Sequence, residues 1–104
     1  MALTLEQQQR LQRVSLVHLF EQKKALWTEI ARSAYQYTRG IADRAKWTVR
    51  QDDVAPALIQ ALRVSAPLSE YLAQQKLKER YWVEWFAYLI LDTLWAELNK
   101  KERR

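Results

Sequence analysis

With one glycine (Gly40) and two prolines (Pro56 and Pro67) in 104 residues, the chain has almost no material for tight turns. Sheets closed by short hairpins need positive φ at the turn, and glycine is the residue that supplies it most readily. Ala, Leu, Gln, Glu, Lys and Arg are abundant instead, and all are good helix formers. The expected fold is therefore all-α: a single compact bundle of about five helices, six at most. Residues 1–99 are expected to form the bundle, and 100–104 a charged tail that frays or begins a linker. A domain of this size buries roughly two-thirds of its unfolded surface, so it can hold one sizeable core.

Thr4 followed by Gln7 fits a capping box and predicts a helix starting near Leu5. Leu16, Leu19, Phe20, Leu26, Trp27, Ile30, Ala34 and Tyr37 recur at spacings of three and four, as on a helix with one buried face. The polar run Glu21-Gln22-Lys23-Lys24 favours a break, giving two segments rather than one of 34 residues. Gly40 is expected to end the second helix in the left-handed conformation, followed by a connector over 41–51 with a short helical turn near Asp43–Trp47. Asp52 or Asp53 is expected to cap a helix with Pro56 in its first turn and Val54, Leu58, Ile59 and Leu62 inward. That helix should end near Val64. Ser65 then caps another, with Pro67 in its first turn and Leu68, Tyr71 and Leu72 inward. A last helix is predicted from Lys76 to Leu98, about 33 Å long.

The absence of cysteine excludes disulfides, thiolate nucleophiles, zinc–thiolate sites and iron–sulfur clusters. The opening MALTLEQQQR lacks the basic-then-apolar order of a signal peptide. The longest nearly apolar run, 81–91, is too short for a bilayer, which needs about 20 residues. The expected location is cytoplasmic, with no membrane association.

Chemistry is sparse. The single histidine, His18, lies three residues from Glu21, a reversed fragment of the paired Glu-x-x-His units that hold two metal ions. Asp52-Asp53 could ligate a divalent ion, but helix capping explains both carboxylates. Glu84 stands on an apolar helix, where an Arg partner or a surface position is the expected reading, and no glycine-rich phosphate loop is present. The expectation is a protein that is not an enzyme and has no cofactor or metal.

Two surfaces are candidates for binding. The stretch YWVEWFAYLILDTLW, 81–95, is apolar nearly all round its helix, interrupted only by Glu84 and Asp92. Such a helix is central in its fold or covered by a partner. One side as core and the other as a docking patch would make Tyr81, Trp82, Trp85 and Trp95 the anchors of a protein interface. The partner would be another protein or a second copy. The alternative is nucleic acid. The net charge is +5, from 17 Lys and Arg against 12 Asp and Glu. Arg32, Arg39, Arg44, Lys46 and Arg50 are opposed only by Asp43, with Tyr35, Tyr37 and Trp47 interleaved. Basic groups for phosphates and aromatics for bases are what single-strand binding uses. Lys76, Lys78 and Arg80 form a second basic cluster that could join the first across the fold.

Within residues 53–72, LRVSAPLSEYL resembles the turn and second helix of a helix-turn-helix, with Arg63 where Gly is usual. The resemblance implies that Ser65, Ser69 and Gln74 would face a DNA groove. In size and helix count the chain is also similar to death-fold-like adaptor domains and to small helical subunits of RNA-guided complexes, likenesses of shape without a shared motif. The leading expectation is a non-catalytic helical interaction module of adaptor or assembly type.

Overall fold

The computed structural model describes residues 3–100 and contains five helices: α1 (Leu5–Gln22), α2 (Lys24–Ala45), α3 (Gln51–Arg63), α4 (Ala66–Gln74) and α5 (Glu79–Leu98). Among the described residues there is no strand. The tail expected at 100–104 lies outside the described residues except for Lys100.

The start of α1 follows its capping box. The Gln7 amide donates to Thr4 Oγ1 at 3.1 Å, and the Thr4 amide donates to Gln7 Oε1 at 3.0 Å. The break between α1 and α2 falls on one residue, Lys23, at φ −123° and ψ 37°. It is bridged from inside: the Trp27 indole donates to the Leu19 carbonyl at 3.2 Å, giving a helix-end oxygen a second partner. Phe86 of α5 receives both sides of the break. Trp27 meets it edge-on at 5.0 Å and Phe20 at 6.3 Å.

The glycine expectation fails. Gly40 lies inside α2, which runs on to Ala45, and no described glycine has positive φ. The left-handed positions belong to Lys46 (φ 59°) and Lys76 (φ 56°). After each, an amide reaches back five residues, Trp47 to the Ala42 carbonyl at 3.1 Å and Leu77 to the Leu72 carbonyl at 2.9 Å. The Lys76 ending is a Schellman motif, the Lys76 amide also reaching the Ala73 carbonyl at 3.1 Å, while at the Lys46 ending the amides of Lys46 and Trp47 both reach Ala42; glycine usually serves such positions. The connector shrinks accordingly to residues 46–50, and α5 begins at Glu79 rather than Lys76 because Lys76 closes α4.

Arg50, not Asp52 or Asp53, is the N-cap of α3. Asp53 stands at the third helical position, and its carboxylate accepts the Arg50 amide at 2.8 Å. Pro56 therefore falls at the sixth position and removes one helical hydrogen bond, rather than sitting harmlessly in the first turn.

α2, α3 and α5 pack against one another and make the core, α4 rests on α3 and α5, and α1 touches α2 and α5. Trp27 opposite Phe86 and Tyr35 opposite Trp95 show that α2 and α5 run in the same direction. The inward face of α2 is Trp27, Ala31, Ala34, Tyr35, Thr38 and Ala42. Tyr37, expected inward, is 68% exposed. Alanines and a threonine carry the real stripe, and they advertise burial more weakly than the Leu26–Ile30–Tyr37 series does.

The molecule measures 55 × 24 × 22 Å with a radius of gyration of 15.1 Å, against about 13 Å for a compact domain of this length. In α1 only Leu16, Leu19 and Phe20 are buried, and no residue from 5 to 15 is. No helix among the described residues is long and apolar enough to cross a membrane.

Candidate interaction groove between α2 and α3

The five-residue connector folds α3 back along α2, and the facing positions are small. Ala34 and Thr38 on α2 and Ala57 and Ala61 on α3 form the floor of an open groove of about 880 Å³. Larger apolar side chains make its walls. Tyr37 (68% exposed), Ile41 (37%), Trp47 (40%) and Val64 (79%) all line it. Small residues between two helices flanked by large apolar ones make a trough that fits the ridge of a further helix. Exposed apolar groups gathered in a concave place mark binding surfaces, whereas scattered ones are ordinary.

The groove has an acidic end. Asp52 and Asp53 line it, and no Lys or Arg does, although the whole chain carries +5. Asp52 is held by the Tyr88 phenol of α5, which donates to its Oδ1 at 2.8 Å. That hydrogen bond, with some burial and the neighbouring carboxylate, pushes the phenol above its ordinary pKa.

The aromatic anchors expected on α5 do not form one surface. Trp82 is 5% exposed, with Tyr81 and Trp85 edge-on to it at 4.9 and 5.8 Å. Its ring belongs to the core. Trp85 and Trp95 are half-buried, and Trp95 packs edge-on against Tyr35 at 5.7 Å. With the Asn99 amide oriented to suit both groups, its oxygen accepts from the Trp95 indole at 3.1 Å. Of the four, Tyr81 alone is exposed, at 48%.

The basic residues do not converge either. Arg32 and Arg39 line a hollow with Glu97, Leu98 and Lys100 at the C-terminal end of α5. Arg39 is bonded to Asp43 at 2.9 Å. Lys76, Lys78 and Arg80 lie at the other end of α5, about 30 Å away along a 20-residue helix. The two clusters therefore do not join across the fold. Arg44, Lys46 and Arg50 are exposed around the α2–α3 connector. Of the interleaved aromatics, Tyr35 is buried, while Tyr37 and Trp47 face the groove with its two carboxylates. A different mixed cleft does exist: Lys76, Lys78, Tyr81 and Trp82 line a hollow of about 520 Å³ with Leu5 and three glutamines of α1.

α3 and α4 are two helices joined by a two-residue turn, as the helix-turn-helix resemblance implies. Ser65 and Ser69 are half-buried, however, and the Ser69 hydroxyl donates to the Ala66 carbonyl at 3.3 Å. Only Gln74 of the three is exposed. His18 and Glu21 are both exposed, and no group of three or more metal-ligating side chains lies together among the described residues.

Val64 and Ile41 were not singled out from sequence. Their signal was present, as large apolar residues that belong to no buried stripe, one of them in a turn. In comparisons with known proteins, no family model, no curated protein and no solved structure matches the chain.

Proposed function

We propose that the protein is a non-catalytic helical interaction module whose docking surface is the α2–α3 groove, and that its ligand is an apolar helix. The observation that carries this reading is the arrangement of four exposed apolar side chains, Tyr37, Ile41, Trp47 and Val64, around a floor of small residues. Amphipathic helices laid into apolar grooves are a recurring mode of recognition. The aromatic series of α5 then serves mainly to hold the groove-forming helices in place.

The reading is tested with a neutral apolar dye such as Nile red. The wild type should bind it and enhance its fluorescence. Tyr37→Glu with Val64→Glu should remove most of the enhancement while the helical circular dichroism signal stays intact, because both side chains are exposed. Tyr81→Glu should leave it unchanged. Enhancement that survives the groove variant but not Tyr81→Glu would move the docking surface to the N-terminal end of α5.

A second reading keeps the nucleic-acid alternative at a narrower place. Lys76, Lys78 and Arg80 are exposed together, and two of them share a cleft with Tyr81. Binding there would fall steeply with salt, because released counterions drive phosphate contacts. It would be abolished by Lys76→Glu with Lys78→Glu and left intact by the groove variant.

A further inference from the structure

Nine large apolar side chains are exposed among the described residues, and they are not scattered. Four surround the α2–α3 groove. Four others, Leu3, Leu5, Leu11 and Val14, are on α1 or just before it, and the ninth, Tyr81, borders the hollow beside α1. One set is concave and the other stands on the half of α1 that buries nothing in its own bundle. We propose that the two sets are complementary: the free half of α1 in one copy docks in the α2–α3 groove of the next. This rests on the groove being the docking surface and goes further by naming its occupant.

Length, shape and charge support the match. Along α3 the groove runs from Asp53 to Val64, about 16 Å, and the outer face of α1 carrying Gln7, Leu11 and Val14 spans about 11 Å. Leu11 and Val14 are three apart and share one face, on the side of the helix opposite Leu16 and Leu19. They supply a ridge for a floor made of Ala34, Thr38, Ala57 and Ala61. Arg10 stands beside Val14 on that face, and the groove ends in Asp52 and Asp53 with no cation among its lining residues. The existing partner of Arg10 is a loose one: Glu6 lies 3.9 Å away, with the two side chains 74% and 84% exposed. Such a pair is worth little and is easily exchanged.

Knob and groove are different surfaces, so the contact is head-to-tail. Such contacts propagate into open chains of copies unless the rotation closes a ring. A three-turn helix in a shallow trough makes a small interface, so the assembly is reversible and depends on concentration.

Sedimentation velocity of the whole chain tests this. The wild type should rise in average mass between about 10 µM and about 1 mM, the range in which a small interface assembles. Leu11→Glu with Val14→Glu removes the knob, and Tyr37→Glu with Val64→Glu removes the groove. All four positions are at least half exposed, so both variants should keep their helical signal. Each variant alone should stay monomeric. Mixed, they should form a one-to-one dimer and nothing larger, because one intact knob and one intact groove remain. A wild type that stays monomeric throughout would overturn the proposal. So would a knob variant that still self-associates, or a mixture that stays monomeric while the wild type assembles. In any of these cases, dye binding that is still lost only in the groove variant would leave the groove itself standing as the docking surface for another protein's helix.

Discussion

At the scale of single residues, Trp27 and Tyr88 do the most to join helices. Trp27 is fully buried, meets Phe86 edge-on and bonds its indole to the Leu19 carbonyl across the α1–α2 break. Trp27→Ala should cost about 3–5 kcal/mol, the range for emptying a buried tryptophan site. Trp27→Phe should cost less, because the Leu19 carbonyl keeps the Lys23 amide at 3.3 Å. Urea midpoints for the two variants would check the order. Tyr88 links α5 to the start of α3 through Asp52. In the folded chain its phenol holds its proton more tightly than in the unfolded chain. Its stabilising effect is therefore complete below the unfolded pKa of about 10 and disappears as pH rises through the folded value. Tyr88→Phe should be slightly less stable than the wild type near neutrality, by about 0.5 kcal/mol for a solvent-facing bond. Denaturation of both proteins between pH 8 and pH 11 should show the difference closing at the alkaline end; a constant gap would assign it to packing.

At the scale of elements, the unusual economy is in helix endings. The chain places its one glycine inside α2 and uses lysines at its two left-handed positions. A Cβ added at Gly40 would meet nothing within 4 Å. Gly40→Ala should therefore stabilise the protein by about 0.5–1 kcal/mol, the helix-interior difference between the two residues. Lys46→Gly should also stabilise it, because a left-handed conformation costs a side-chain-bearing residue about 1–2 kcal/mol, offset in part by the entropy glycine loses on folding. Thermal midpoints that rise for both would support these assignments, and a fall for Gly40→Ala would contradict the open surroundings of that position. These sites also show where sequence reading reaches its limit. Gly40 looked like a stop because glycine is the usual left-handed residue. What ends α2 instead is the pair of bonds to Ala42 after Lys46, and that pairing depends on where the chain turns, not on which residue turns it. The break at Lys23 was readable because four polar residues interrupt an otherwise continuous apolar stripe.

At the scale of the whole molecule, the helix count and the central place of α5 could be read from the chain, because an almost glycine-free sequence with apolar residues at spacings of three and four leaves few other folds. The α2–α3 groove could not. Trp82 and Trp85 are conspicuous by type, yet a helix apolar on every side is the one the others wrap. The floor of the groove is built from alanines and a threonine on two different helices, Ala34 and Thr38 on α2 with Ala57 and Ala61 on α3, and no local pattern joins them. The basic residues misled in the same way: Arg32 and Lys76 belong to clusters set at opposite ends of α5. Arg44→Glu with Lys46→Glu should therefore leave both folding and groove binding unchanged.

Light scattering after size exclusion, at low and high salt, with and without a mixed-sequence single-stranded oligonucleotide, bears most directly on a protein-binding groove. A groove occupied by α1 of a second copy predicts a mass above monomer at both salts when the protein is loaded concentrated, no co-migration with the oligonucleotide, and a return to monomer in Tyr37→Glu with Val64→Glu. A monomer that gains mass only with the oligonucleotide, and only at low salt, would contradict it and place the function on the basic cleft beside Tyr81, since phosphate binding is the kind that salt dissolves.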